Sequence, residues 1–251
     1  MGRSIGLAVL LAAGMLLGGL APVCAAGIAR HEGAKVRVGT GSAYTWLLDD
    51  GFGNPLAIGI NMTEAAFAGL PAEDAEYLLP LPRQAQTTAF KHVVLNWNVH
   101  GHIPPGIYDV PHFDFHFYII TPAQRALITA TGDDLARATI MPAPAAIPTG
   151  YIGPEGTTEP RMGWHWIDPT SPEFHGLPFT QTFIYGFYNG QMAFIEPMVT
   201  SAFLATHPFV SRAIALPGAY PTSGYYPTGY AISYDVRQQE TSISLWGMTQ
   251  R

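Results

Sequence analysis

The segment Pro111-His112-Phe113-Asp114-Phe115-His116-Phe117-Tyr118 alternates without a break between apolar rings and residues of another kind. Period-two alternation can bury one side of a chain only as a β-strand, because successive side chains leave a strand on opposite faces. Phe113, Phe115 and Phe117 then share one face, which must pack against a second layer. His112, Asp114, His116 and Tyr118 share the other, and three of these are metal-ligand types. An edge or surface strand would more often show Thr, Lys or Ser in that row.

Other segments carry related signals. Residues 42–48 and 56–62 flank a turn-rich run, 90–99 and 107–120 flank Gly101-His102-Ile103-Pro104-Pro105-Gly106, and 182–188 and 191–199 flank Asn189-Gly190. The last pair is the most specific, since a type I′ turn needs positive φ at both central positions. Residues 230–236 and 242–246 predict two more strands. Helices are few and short. Thr121-Pro122-Ala123-Gln124 offers a capping Thr, a Pro for the first turn and a Gln that closes a capping box, with Gly132 as the expected stop. Another short helix is expected near Thr200 or Ser201. The Pro-rich stretch 141–160 reads as a long loop. Together these predict one mainly β domain over residues 27–251, an antiparallel β-barrel or sandwich with a few short helices.

Residues 1–26 have the three parts of a signal peptide. Arg3 supplies the positive charge, 5–20 the apolar stretch, and Ala21-Pro22-Val23-Cys24-Ala25-Ala26 the small-residue cleavage site. The stretch is shorter than the ~20 residues of a spanning helix and is interrupted by glycines. The expectation is therefore a secreted or periplasmic protein with no transmembrane segment in the mature chain. Lipidation of Cys24 is the alternative, disfavoured by the bulk of Val23. Cys24 is the sole cysteine, so cleavage after it excludes a thiol nucleophile and a cysteine-based zinc site. About 225 residues suffice to stabilise a core without disulfides. The formal net charge is −6, the only lysines are Lys35 and Lys91, and no basic stripe exists, which argues against nucleic acid as a partner. Charged residues make up 12% of the chain, about half the usual share. Part of the surface is thus expected to be covered by further copies, giving a homo-oligomer.

Strand geometry limits what the polar row can do. Neighbours at i and i+2 stand ~6.5–7 Å apart and can share one cation, whereas His112 and His116 are about 13 Å apart on a straight strand. The preceding strand places His92, Val94, Asn96, Asn98 and His100 on one face, and a simple hairpin register sets His92 opposite His116 and Asn96 opposite His112. His100 and His102 at the loop mouth are either ligands or solvent-exposed. His165 alternates with Trp164 and Trp166 and so points away from both rings. Glu196, by period through the Asn189-Gly190 hairpin, shares a face with Phe183, Tyr185, Phe187, Met192, Phe194 and Met198. An acid there is costly unless it is paired or ligating, or reaches water at the strand end before Pro197. His175 and His207 fall in loops and read as structural. No Gly-rich phosphate loop follows a strand, and no nucleophile-elbow motif occurs.

The run His100-x-His102-x-Pro104-Pro105-Gly106-x-Tyr108-Asp109-x-Pro111-His112-Phe113-Asp114-Phe115-His116-Phe117-Tyr118, with the later Gly163-x-His165-Trp166-x-Asp168 and Phe194-Ile195-Glu196-Pro197, resembles an uncharacterised bacterial family of exported proteins, a domain of unknown function. The resemblance extends over residues 36–250. It implies a β-rich single domain open to oligomerisation and brings no established activity with it.

The residues themselves support two readings. In one, His112, Asp114, His116 and His165 hold a divalent metal, with zinc the best match, and Glu196 is a further ligand or the general base. Open coordination would suit hydrolase or lyase chemistry on a small-molecule ligand. In the other, the polar row is a hydrogen-bonded ladder inside a non-catalytic, oligomeric binding or envelope-stress protein.

Overall fold

The period-two segments become strands. A computed structural model describes residues 27–251, and the expected signal peptide, 1–26, lies outside the described residues. In chain order the strands are β1 (Ala29–Glu32), β2 (Val36–Val38), β3 (Gly41–Asp49), β4 (Pro55–Thr63), β5 (Ala75–Leu79), β6 (His92–Asn98), β7 (His112–Tyr118), β8 (Thr158–Glu159), β9 (Gly163–Trp166), β10 (Gln181–Tyr188), β11 (Gln191–Thr200), β12 (Val210–Ala213), β13 (Tyr225–Tyr226), β14 (Gly229–Asp235), β15 (Glu240–Trp246) and β16 (Thr249–Gln250). One antiparallel sheet runs β1-β3-β4-β15-β14-β12 with β2 beside β3. The other runs β5-β6-β7-β11-β10-β9-β8, and β13 pairs with β16.

The two large sheets pack face to face. Ile58, Ile60 and Leu245 of the first share one core with Phe113, Phe115 and Phe117 of the second. Of the two expected architectures the chain adopts the sandwich, with the second sheet curled into a half-barrel. The curl follows from distances: β11 and β10 lie between β7 and β9, so a flat sheet would separate these strands by about 14 Å. Yet the rings of His116 and His165 are only 6.5 Å apart, centre to centre.

Local signals act largely as expected. Asn189 and Gly190 both adopt positive φ, 53° and 72°, and join β10 to β11. Thr121 caps α1 (Pro122–Ala126) in a complete capping box, and Thr200 caps α3 (Ser201–Leu204). Gly132 is not the stop of α1, which ends six residues earlier; its φ of 55° starts α2 (Asp133–Ala138) instead. Among the described residues no helix is long and apolar enough to cross a membrane.

Two register expectations need correction, and both bear on the site. In the β6–β7 pair His92 faces Tyr118, Val94 faces His116, Asn96 faces Asp114 and Asn98 faces His112, two residues away from the simple hairpin register. The connecting loop sets this offset. The loop closes on itself through His102 N–H donating to Tyr108 C=O (3.2 Å), and at Gly101 (φ 73°) a Cβ would overlap the Tyr108 carbonyl. In the β10–β11 pair Gly186 faces Phe194 but Phe187 faces Met192, which leaves Ala193 as a bulge. One extra residue reverses the facing of everything beyond it. Phe183, Tyr185, Phe187 and Met192 therefore enter the inter-sheet core, and Glu196 is turned to the opposite face with Phe194 and Met198.

Candidate metal centre

The concave face of the half-barrel collects the polar row of β7, Asn96 and Asn98 of β6, Glu196 of β11 and His165 of β9. The loop between β6 and β7 closes over one end. It is pinned by Tyr108, which is 1% exposed, packs at 4.8 Å on Phe179 and donates its hydroxyl to Glu173 (3.3 Å). That closure carries His102 down onto β7.

His102, His112 and Asp114 form one trio. His112 Nε2 lies 3.1 Å from His102 Nε2 and 3.1 Å from an Asp114 carboxylate oxygen; His102 Nε2 lies 3.4 Å from the other oxygen. Each imidazole donates Nδ1–H to a backbone carbonyl, His112 to Val110 (2.7 Å) and His102 to Ile103 (2.8 Å). A carbonyl can only accept, so Nδ1 holds the proton and, in the neutral ring, Nε2 holds the lone pair. Two lone pairs and a carboxylate thus converge on one point, an arrangement relieved by a proton or by a cation. Asn98 Nδ2 donates to Asp114 at 2.6 Å and lies 3.3 Å from His112 Nε2, orienting the carboxylate from behind. The carboxylate and His102 face a cavity of about 200 Å³ whose wall also includes Asn98, Tyr108, Glu159, Met162 and His165.

His116, His165 and Glu196 form a second trio, with one ligand-type atom of each within 4.8 Å of the others. His116 Nε2 is 3.3 Å from one Glu196 oxygen, too poorly aligned for a hydrogen bond, and His165 Nε2 is 3.9 Å from the other. His165 donates Nδ1–H to the Thr157 carbonyl (2.9 Å), which leaves its Nε2 as the lone-pair nitrogen. Phe194 packs on both imidazoles, its centre 4.8 Å from that of His116 and 5.3 Å from that of His165. It occupies the space above Gly186, where a Cβ would overlap its ring.

Beyond His116 the face ends in an ionic cluster. Tyr118 stacks on His116 (5.5 Å) and on His92 (4.6 Å), and the Arg125 guanidinium lies 5.0 Å above the Tyr118 ring. Arg125 donates twice to Glu76, at 2.9 and 2.7 Å, and Arg161 joins at 3.0 Å.

Burial and charge set the protonation states. For His102 burial favours the neutral ring, but the hydrogen bond and charge of Asp114 outweigh it and hold the pKa at about 9. Burial likewise pushes Asp114 up, yet the neighbouring His112 and His102 hold it well below the usual carboxylate range. Burial keeps His116 well below the ordinary imidazole value and His165 at about 4. Glu196 is driven far upward by burial and then by the negative charge of Asp114. These shifts favour an ion pair between His102 and Asp114 and the uncharged forms of His116, His165 and Glu196.

Of the residues expected from sequence, His112 and Asp114 thus fall in one group and His116, His165 and Glu196 in another. His100 is exposed and outside both. His92 sits on the same face, stacked on Tyr118, with neither ring nitrogen hydrogen-bonded. His102 is the residue that strand periodicity could not place, because its position depends on the fold of a loop. Its alternation with His100 ahead of the Pro-Pro-Gly turn was the one available signal.

A family model described as TTHB210-like, hypothetical protein TTHB210, matches residues 50–97. This places the chain's similarity with an uncharacterised family, over a stretch from the turn before β4 into β6 and upstream of both trios. No curated protein and no solved structure matches the chain.

Proposed function

We propose that this is an exported, metal-dependent protein in which His102, His112 and Asp114 hold one divalent cation on the wall of the cavity. The observation that carries the reading is the pair of Nε2 atoms 3.1 Å apart, each made a ligand nitrogen by an Nδ1–H bound to backbone carbonyl. Backbone or carboxylate partners on the distal nitrogen are the usual second layer around metal-bound histidines. Two imidazoles and a carboxylate suit zinc, and three protein ligands are the number found where zinc keeps a position open for chemistry. A cation held there would supply Lewis-acid activation of water, the chemistry a hydrolase or lyase needs. The cavity wall carries Asp74 and Glu159 with Ile103, Tyr108, Met162 and Ile184, and no lysine or arginine. A small, largely apolar, uncharged or cationic substrate fits that wall better than an anion. Low surface charge supports the further expectation of a homo-oligomer.

Elemental analysis of protein purified without chelators tests the reading. Zinc or another divalent transition metal is expected, with loss of one equivalent in His112→Ala. Absence of any such metal, together with failure of chelator-treated protein to take up zinc, would refute it.

A further inference from the structure

We propose that His116, His165 and Glu196 form a second cation site, separate from the first, that takes a borderline-soft divalent metal such as zinc. The case rests on unpaired atoms. His116 and Glu196 are each about 1% exposed, and neither nitrogen of His116 nor the second oxygen of Glu196 has a hydrogen-bond partner. Buried side-chain polar atoms are nearly always paired, and leaving one unpaired costs about 1–3 kcal/mol. Unpaired atoms recur on this face, at His92, Asn96 and Asp114, but those of His116 and Glu196 converge with the lone-pair nitrogen of His165 within 4.8 Å.

Counting donors shows what is missing. His165 Nε2 bears a lone pair, because Nδ1 is committed to Thr157. Glu196 supplies only acceptors when ionised. His116 can offer a proton from one nitrogen, but its Nε2 is misaligned with Glu196. A neutral trio carries two protons that can serve these contacts, one on Glu196 and one on His116, but the 3.9 Å gap to His165 and the misalignment at His116 leave both hydrogen bonds unmade. A cation at the centre serves all three at once. The ligand set of two imidazoles and one carboxylate selects zinc, cobalt or nickel over magnesium and calcium, which demand oxygen-rich shells. An entry route exists, since His165 lines the same cavity as His102 and Asp114. The sites are distinct because the ligand-type atoms of His116, His165 and Glu196 gather in one group and those of His102, His112 and Asp114 in another.

The test is metal stoichiometry on the mature protein, stripped with chelator and titrated with zinc and with cobalt, whose visible absorption reports ligand number. Wild type should bind two equivalents. Glu196→Gln, which keeps the side-chain shape, and His165→Ala should each bind one, and so should His112→Ala, by loss of the other. Magnesium and calcium should not occupy the site. Since a variant at a buried position can fail to fold, the folded His112→Ala protein decides independently: a remaining equivalent there is the second site. One equivalent in wild type that survives both Glu196→Gln and His165→Ala overturns this proposal and leaves the first site standing. One equivalent lost in Glu196→Gln and in His112→Ala alike means a single shared centre and also overturns it. Two equivalents unaffected by His112→Ala would instead count against the first site alone.

Discussion

Replacing Gly186 with alanine would drive a methyl group into the ring of Phe194. Carbon atoms settle at about 3.5–4.0 Å, so the ring must retreat by roughly 1.5 Å. It has little room to do so. Phe194 is fully buried and its ring centre lies 4.8, 5.2 and 5.3 Å from those of His116, Tyr118 and His165. Overpacking a well-filled interior typically costs 1–3 kcal/mol, and a ring held on three sides by other rings puts Gly186→Ala at about 2–3 kcal/mol. With a urea m-value of roughly 2–3 kcal/mol/M the unfolding midpoint should fall by about 1 M. Phe194→Leu removes the obstructing ring atoms, so the double variant should be more stable than the sum of the two singles predicts, with a coupling of about 0.5–3 kcal/mol. Equilibrium urea unfolding followed by tryptophan fluorescence measures all four proteins. A Gly186→Ala protein within about 0.5 kcal/mol of wild type, or strict additivity with Phe194→Leu, would refute the claim that Gly186 exists to seat this ring.

Further outcomes are expected. Phe115→Ala should cost roughly 3–5 kcal/mol in thermal or chemical unfolding, because Phe115 is wholly buried in the inter-sheet core and its removal leaves a cavity; retention of wild-type stability would contradict the packing. Glu76→Ala strands the Arg125 side chain, 9% exposed, and should cost close to the lower end of the roughly 3–5 kcal/mol seen when a buried pair loses one partner. Burial pushes the Glu76 carboxyl up, but Arg125 and Arg161 hold it below its ordinary value; its stabilisation is therefore present above the unfolded-state pKa of about 4.3 and is lost as pH falls, so the acid limb of the stability profile should be shallower in Glu76→Gln than in wild type. Intact mass of the protein purified from its native host should show cleavage after Ala25 or Ala26, and sedimentation should show a species larger than one chain; a full-length N-terminus or a clean monomer counts against the respective expectation.

The fold was legible where pattern and local chemistry agree. The alternation of β7, the Asn189-Gly190 turn and the Thr121 capping box each carry their cause within a few residues, and each formed as read. Register was not legible, because it depends on how a loop closes or where a bulge falls. A two-residue offset in β6–β7 left every side chain on its predicted face but changed every partner, putting Asn98 rather than Asn96 beside His112. The bulge at Ala193 had the larger effect: it moved Glu196 out of the aromatic company that made it look anomalous and onto the histidine face. The strand-spacing argument did hold in one respect, since His112 and His116, too far apart to share an ion comfortably, belong to different trios. His102 needed the loop geometry around Gly101 and Tyr108, and His165 needed the curl of the sheet, neither of which is encoded within a short window of sequence.

The second trio draws its members from β7, β9 and β11, at positions 116, 165 and 196. An ion bridging them would close long loops of chain and tie β9 to the adjacent pair β7 and β11, from which β10 separates it in the sheet. That is a covalent-like cross-link in a chain whose described residues contain no cysteine. Cross-links spanning tens of residues restrict the unfolded ensemble by roughly 3–5 kcal/mol in the chain-entropy model, and binding energy at a site absent from the unfolded chain becomes folding energy. In an extracytoplasmic setting such an ion would do the work of a disulfide, and chelation would act as reduction does elsewhere, loosening the half-barrel by removing its rivet.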